Sequence, residues 1–125
     1  MAVDATLPPA TGVSLVRLPP EVDLASAPAL RDEMLAALNR DGVHLVADAL
    51  DVTFMDSSGI NALVRARERA AGLGGSLHVV TRSSAVRRVL QITGLVERLG
   101  VVGSLEEAYA CLQQPGTVHT CDAGD

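Results

Sequence analysis

The chain is predicted to be a single α/β domain in which about four helices pack against a small, mostly parallel, mixed β-sheet. Segments with the composition of strands alternate with segments whose apolar residues recur at helical spacing, which is typical of a layered α/β fold. The 125 residues suffice for one domain and hardly for two. Nearly half of the residues are apolar, but there is no Trp and one Phe, so the core must be built from Val, Leu, Ile and Ala.

Four segments have the character of strands, and a fifth is ambiguous. Residues 13–18 alternate apolar and polar side chains and are followed by two prolines that end the strand. The apolar residues 43–47 predict a buried central strand, and residues 76–80 predict a third strand. Residues 99–102 predict a short edge strand, while residues 21–24 are either a short strand or an extended turn.

Four helices are predicted from apolar spacing and from their end signals. The first begins after an N-cap at Ser26 and ends near Asn39. The second opens within the serine motif described below and ends at a cluster of glycines. The third is capped by Ser83 or Ser84, and the fourth begins with a capping-box pattern at Ser104.

The two ends of the chain are predicted to lie outside the domain. Residues 1–12 form a flexible N-terminal segment, residues 13–113 the domain, and residues 114–125 a flexible polar tail. No apolar run approaches the roughly 20 residues that are needed to cross a bilayer. The N-terminus has neither the basic nor the apolar region of a signal peptide. We therefore expect a cytoplasmic protein without a membrane span.

Charge and residue types argue against several classes of function. The net charge of −5 disfavours a general nucleic-acid role, because phosphate neutralisation favours basic proteins. The three histidines and the two cysteines lack the spacing of a zinc site. Cys111 and Cys121 are expected to be reduced, since no export signal is present. The chain also lacks a glycine-rich nucleotide-binding loop. We therefore expect neither a metal nor a cofactor.

The most informative stretch runs from residue 45 to residue 60. A buried strand leads through a short acidic turn to the segment Asp56-Ser57-Ser58-Gly59, which opens the second helical pattern. Two hydroxyls and an acid therefore lie at a helix N-terminus. Unpaired N–H groups and a partial positive charge make such an end a natural place for a phosphate. Ser57 is accordingly predicted to be a regulatory phosphorylation site.

Two other interpretations of these serines are open at this point. Serine is a favoured N-cap residue, so local chemistry alone favours a capping role for Ser57 and Ser58. A serine between a strand and a helix also resembles a hydrolase nucleophile, but the Gly-x-Ser-x-Gly pattern is missing. No histidine stands in an obvious motif as its base. We therefore predict no catalytic residue and no enzymatic activity.

Four blocks of the chain together resemble the STAS domain, in particular the bacterial anti-sigma factor antagonists. Their order and spacing make the combination specific, and the resemblance covers roughly residues 13–112. It implies a STAS-type fold. Residues 18 and 21–28 match the end of the family's first strand and the start of its first helix, and residues 46–48 and 52–60 match its phosphorylation loop. Residues 74–80 match the next strand, and residues 84–95 match the third helix.

The resemblance implies a partner-switching regulator. In that family the unphosphorylated antagonist binds an anti-sigma factor, which is also a serine kinase with a histidine-kinase-type ATPase fold, and binding frees the sigma factor. The kinase phosphorylates the antagonist, and a metal-dependent serine phosphatase reverses this. Carried onto this chain, the phosphorylated serine is Ser57, flanked by Asp56 and Ser58. Asp23 and Glu21 would lie near the same docking surface.

Gly59 is a further predicted site residue, and two other positions depart from the family pattern. Gly59 lacks a Cβ, which is expected to let the active site of a partner approach the serine. Pro20 stands where the family usually has Gly, and it removes an N–H donor from the turn. Ala49-Leu50 follows Asp48 where a Leu-Ser type pair is more usual.

A second role within the same family is a constitutive adaptor. Some STAS domains are non-phosphorylated subunits of lipid-transport ATPase complexes or of stress-signalling assemblies. Such a scaffold would not need the hydroxyl of Ser57, so replacing it by Asp would leave the set of partners unchanged.

Overall fold

The computed structural model describes residues 12–95 and 99–112, and within these the predicted α/β class is confirmed. The predicted terminal segments, 1–12 and 114–125, lie outside the described residues except for Gly12. The elements in chain order are β1 (Val13–Arg17), β2 (Glu21–Val22), α1 (Ala27–Arg40), β3 (His44–Asp48), β4 (Phe54–Met55), α2 (Ser57–Gly72), β5 (Ser76–Val80), α3 (Ser84–Ile92), β6 (Val101–Val102) and α4 (Leu105–Leu112).

The strands form two sheets. One has the order β1-β3-β5-β6, and the other consists of β2 and β4. Every ladder between described strands is parallel. Strand β3 lies between β1 and β5, and its residues 45–48 are buried, which explains why it reads as a nearly continuous apolar run. Strand β6 lies at an edge of the four-stranded sheet, as predicted.

The four-stranded sheet separates two apolar clusters. Leu45 and Ala47 of β3 point to the side on which α1 and α2 pack. Val46 points to the opposite side, where it meets Tyr109 and the rest of the α4 face. Because α1 and α2 follow parallel strands and pack against each other, their first turns lie together at the edge where the strands end. No helix in the described part of the chain is long and apolar enough to cross a membrane.

The helix starts agree with prediction in position, but not always in the capping group. Ser26 occupies the N-cap position of α1, yet its side chain makes no capping hydrogen bond. Ser83 caps α3 by accepting from the amide three residues on, at 3.2 Å. Ser104 accepts from the amide of Glu107 at 3.1 Å. The Glu107 carboxylate accepts from the amide of Gly103 at 2.8 Å, one residue before the position that a capping box uses.

The state of one cysteine differs from the expectation. Cys111, half-buried in α4, is disulfide-bonded, so the prediction of a reduced thiol is wrong for this residue. Cys121 lies outside the described residues. Disulfides are rare in reducing compartments, so the disulfide of Cys111 does not support a cytoplasmic location. That location stays a prediction.

Candidate functional site

The two-stranded sheet joins the two segments that were predicted to share one docking surface. Its parallel register sets Glu21 opposite Phe54 and Val22 opposite Met55. The amide of Asp56 continues the contact by donating to the carbonyl of Val22 at 3.2 Å. The residues that follow each strand, the acidic turn after β2 and the serine motif after β4, therefore lie side by side.

Pro20 supports this pairing through its carbonyl. The Pro20 oxygen accepts from the amides of Thr53 and Phe54, at 2.8 and 3.3 Å, and from the Thr53 hydroxyl at 3.3 Å. This pairing does not use the N–H that proline lacks, because Thr53 and Phe54 donate to the Pro20 carbonyl. The departure from the family pattern at this position thus leaves the contact between β2 and β4 in place.

Asp56 is the residue that caps α2. Its Oδ1 accepts from the amide of Ser58 at 2.9 Å, and its carbonyl accepts from the amide of Gly59 at 3.0 Å. The amide of Asp56 itself donates to the carbonyl of Val22. Three of the four N–H groups that a helix start leaves open, those of Asp56, Ser58 and Gly59, are therefore hydrogen-bonded. Within the described residues, the amide of Ser57 is the fourth and makes no hydrogen bond. Three of the four N–H groups expected to receive a phosphate are therefore already hydrogen-bonded, and the Asp56 carboxylate accounts for one of them, the amide of Ser58.

The two serines differ in their surroundings. Ser57 is the first residue of α2 and is exposed, whereas Ser58 is half-buried. Neither hydroxyl makes a hydrogen bond to any described residue. Because Asp56 supplies the cap, the interpretation of these serines as simple helix caps is wrong, and the Ser57 hydroxyl is left open to solvent.

Gly59 is buried and serves the packing of α2 on the small sheet. A Cβ at this position would lie 2.6 Å from Cγ1 of Val22 and 2.7 Å from Cγ of Met55. The missing side chain thus lets the helix approach β2 and β4, which differs from the expectation that it opens the serine to a partner. A direct contact of Gly59 with a partner stays a prediction.

Asp23 closes the turn that begins α1. Its Oδ1 accepts from the amides of Ala25 and Ser26, both at 3.1 Å, and from the Ser26 hydroxyl at 3.2 Å. The backbone hydrogen bond from Ser26 is the main reason that the pKa of Asp23 is lowered. Asp23 thus takes over the capping predicted for Ser26. Glu21, two residues before it, is exposed.

Replacing Asp23 by Asn is expected to lower the free energy of unfolding at neutral pH, but not in acid. A folded-state pKa below the ordinary 3.8 contributes stability above the unfolded pKa, and this contribution is lost as the pH falls through the folded pKa. Asn keeps the acceptor oxygen, so the variant isolates the charge, and screening by water keeps the effect small. Urea unfolding of both proteins at neutral pH and at about pH 2 measures it. An equal difference at both pH values would contradict the assignment.

A groove opens between the N-terminal parts of α1 and α2, next to the serine motif. Its volume is about 200 Å³, and we call it the α1–α2 groove. Sequence reasoning singled out only Ser58 among its residues, because a groove between two helices leaves no pattern along the chain. The lining consists of Leu24, Ala27, Pro28 and Arg31 on one side and Ser58, Asn61, Ala62 and Arg65 on the other.

No metal cluster accompanies the site. Among residues 12–95 and 99–112, no group of three or more His, Cys, Asp or Glu side chains is placed to hold a metal ion. Two acidic residues of the site are instead engaged in local backbone contacts, Asp23 in the turn before α1 and Asp56 in the cap of α2.

Comparison with known proteins gives the family. The chain matches the family model of the STAS domain over residues 5–108. It is 34% identical over 91 residues to the anti-sigma-B factor antagonist of Bacillus subtilis (strain 168), which covers 73% of this chain and 83% of that protein. It is 27% identical over 107 residues to the anti-sigma-F factor antagonist RsfB of Mycobacterium tuberculosis (strain H37Rv), covering 86% and 87% of the two chains.

Solved structures agree with these relatives. The crystal structure of an anti-sigma factor antagonist from Mycobacterium paratuberculosis superimposes with a TM-score of 0.76 at 30% identity, covering 85% of this chain and 90% of that one. The crystal structure of a Thermotoga maritima protein shares the fold, with a TM-score of 0.73 at 20% identity, covering 81% of this chain and 87% of that one. The resemblance stated from the sequence is confirmed: the chain belongs to the STAS domain family, and the relatives described here are anti-sigma factor antagonists.

Proposed function

We propose that this protein is an anti-sigma factor antagonist that is switched by phosphorylation of Ser57. The unphosphorylated form binds an anti-sigma factor that is also a serine kinase of the histidine-kinase-type ATPase fold, and the sigma factor is released. The kinase then transfers the γ-phosphoryl group of ATP to Oγ of Ser57, with loss of the hydroxyl proton and release of ADP. A metal-dependent serine phosphatase restores the binding form. The docking surface around Ser57 comprises Glu21, Asp23, Asp56, Ser58 and Gly59.

One observation carries the proposal. The hydroxyl of Ser57 is exposed and makes no hydrogen bond within the described residues, while Asp56 does the capping that a serine could have done. A hydroxyl without a structural task in the free protein is available to the active site of a kinase. The identity to named anti-sigma factor antagonists supports the kind of partner.

The electrostatics of the site support a switch that acts on the complex. A phosphoserine adds a charge of about −1.5 to −2. Here that charge would stand beside the carboxylate of Asp56, at a helix end whose amides are mostly taken. The local potential therefore becomes strongly negative, and an acidic surface on the partner is repelled. The chain itself performs no catalytic step in this scheme, because the kinase and the phosphatase supply the chemistry.

A paired capture experiment tests the proposal. The full chain and its Ser57→Asp variant serve as baits in a lysate of the source organism. We expect the wild type to capture a histidine-kinase-type ATPase and Ser57→Asp to lose it. Ser84→Asp is the matched control, because Ser84 is also an exposed first residue of a helix whose cap is supplied by the residue before it. If wild type and Ser57→Asp capture the same transporter or scaffold components, the protein is a constitutive adaptor instead.

A further inference from the structure

The α1–α2 groove carries positive charge in an acidic protein. Arg31 and Arg65 contribute to its lining, and no carboxylate does. The chain as a whole has a net charge of −5, so the groove is a local reversal of sign. Two guanidinium groups over a concave surface favour a ligand that brings a carboxylate or a phosphate.

The two arginines are available for such a ligand. Arg65 is exposed and makes no ion pair within the described part of the chain. Arg31 contacts the neighbouring Asp32 at 3.3 Å, but that carboxylate is 70% exposed, so water weakens the pair. Neither arginine is therefore held in a strong internal interaction that a ligand would have to break.

The groove also offers apolar surface. Leu24 is 76% exposed, although it is a large aliphatic residue, and it stands at the rim beside the exposed Pro28. A single exposed leucine is ordinary for a soluble protein. Its place beside two guanidinium groups in one groove makes it a suitable contact for an apolar side chain that neighbours an acidic one.

We propose that the α1–α2 groove binds an acidic, apolar segment of the anti-sigma factor. A carboxylate of that segment lies within reach of Arg31 and Arg65, and an adjacent apolar side chain packs on Leu24. This inference rests on the proposed function for the identity of the partner, and it adds a second contact region to the docking surface around Ser57.

The groove also explains how phosphorylation of Ser57 would weaken binding of the partner. Ser57 directly precedes Ser58, which lines the groove. A phosphate on Ser57 would therefore add negative charge one residue away from the groove lining, and this charge would oppose binding of a carboxylate in the groove. The same acidic segment that the groove attracts in the unphosphorylated form is then rejected in the phosphorylated form.

Affinity measurements on charge-reversal variants test the groove. The full chain is titrated calorimetrically with each purified histidine-kinase-type anti-sigma factor that the source genome encodes. Arg65→Glu is expected to weaken binding by about tenfold or more, since like charges facing each other across an interface oppose association. Arg69→Glu, one turn further along α2 and outside the lining, is expected to stay within about twofold of the wild type. Arg65→Lys should retain most of the affinity, and Leu24→Ser should lose part of it.

Ser57→Asp in the same titrations separates the two proposals. Loss of binding with Ser57→Asp but not with Arg65→Glu or Arg31→Glu overturns the groove and leaves the switch standing. Loss with Arg65→Glu but not with Ser57→Asp supports the groove and overturns the switch. If no anti-sigma factor binds the wild type, both proposals are wrong. Because Arg65 and Leu24 are exposed, these variants are expected to fold, and thermal unfolding verifies it.

Discussion

Phosphorylation of Ser57 is expected to weaken binding of the anti-sigma factor by tens- to thousands-fold while the protein stays folded. The range corresponds to the roughly 2–5 kcal/mol that an unpaired or repelled charge in a desolvated interface costs. The cost arises because the phosphate would join the carboxylate of Asp56 at one helix end, where an approaching partner excludes water. Titration of the anti-sigma factor with wild type, Ser57→Asp and enzymatically phosphorylated protein measures it.

Phosphorylation of Ser57, or its replacement by Asp, is expected to change the stability of the free protein little. The change should be a slight stabilisation, whereas binding of the partner is weakened. Negative charge near a helix N-terminus stabilises the helix by roughly 0.3–1 kcal/mol, and the cap on Asp56 does not involve the Ser57 side chain. Ser84→Asp places the same charge at the first position of α3 and should have a similar effect on thermal unfolding. Only Ser57→Asp should lose the partner. A Ser57→Asp variant that lost both its partner and its stability would show that the serine has a structural role after all.

Much of the fold was predictable because it depends on neighbours in sequence. Strand β5 was predicted at residues 76–80 and has these bounds, since an apolar run after several glycines allows little else. The start of α1 was predicted after Ser26 and is found there. The group that closes its first turn was not, because Asp23 and Ser26 are both good capping residues and the choice between them depends on the path of the turn.

The features that define the site depend on contacts that are distant in sequence. The carbonyl of Pro20 binds the amide of Thr53, 33 residues away along the chain. That pairing decides which side of α2 is buried, and therefore that Gly59 faces inward while Ser57 faces solvent. The α1–α2 groove arises in the same way, since Arg31 and Arg65 belong to different helices. The apolar periodicity of either helix alone does not predict that the N-terminal parts of the two helices together form this groove.

Replacing Gly59 by Ala is expected to destabilise the protein by about 1–3 kcal/mol, although alanine is the better helix former. The added Cβ would lie 2.6 Å from Cγ1 of Val22, whose β-branched side chain has little rotamer freedom and is fully buried. Met55 closes the other side at 2.7 Å. The helix must therefore move away from β2 and β4, and thermal or urea unfolding will report the cost.

Gly72→Ala is the matched control for this substitution in the same helix. Nothing lies within 4 Å of the Cβ position at Gly72, so the same change there adds helix propensity without a clash. It is expected to be neutral, or stabilising by up to about 1 kcal/mol. If Gly59→Ala were as stable as Gly72→Ala, the contact between α2 and the small sheet would be loose enough to absorb a methyl group. If it is unstable as expected, its affinity for the anti-sigma factor should also fall, because a displaced α2 moves Ser57 relative to Asp23 and to the groove. The small sheet would then be the element that positions the switch.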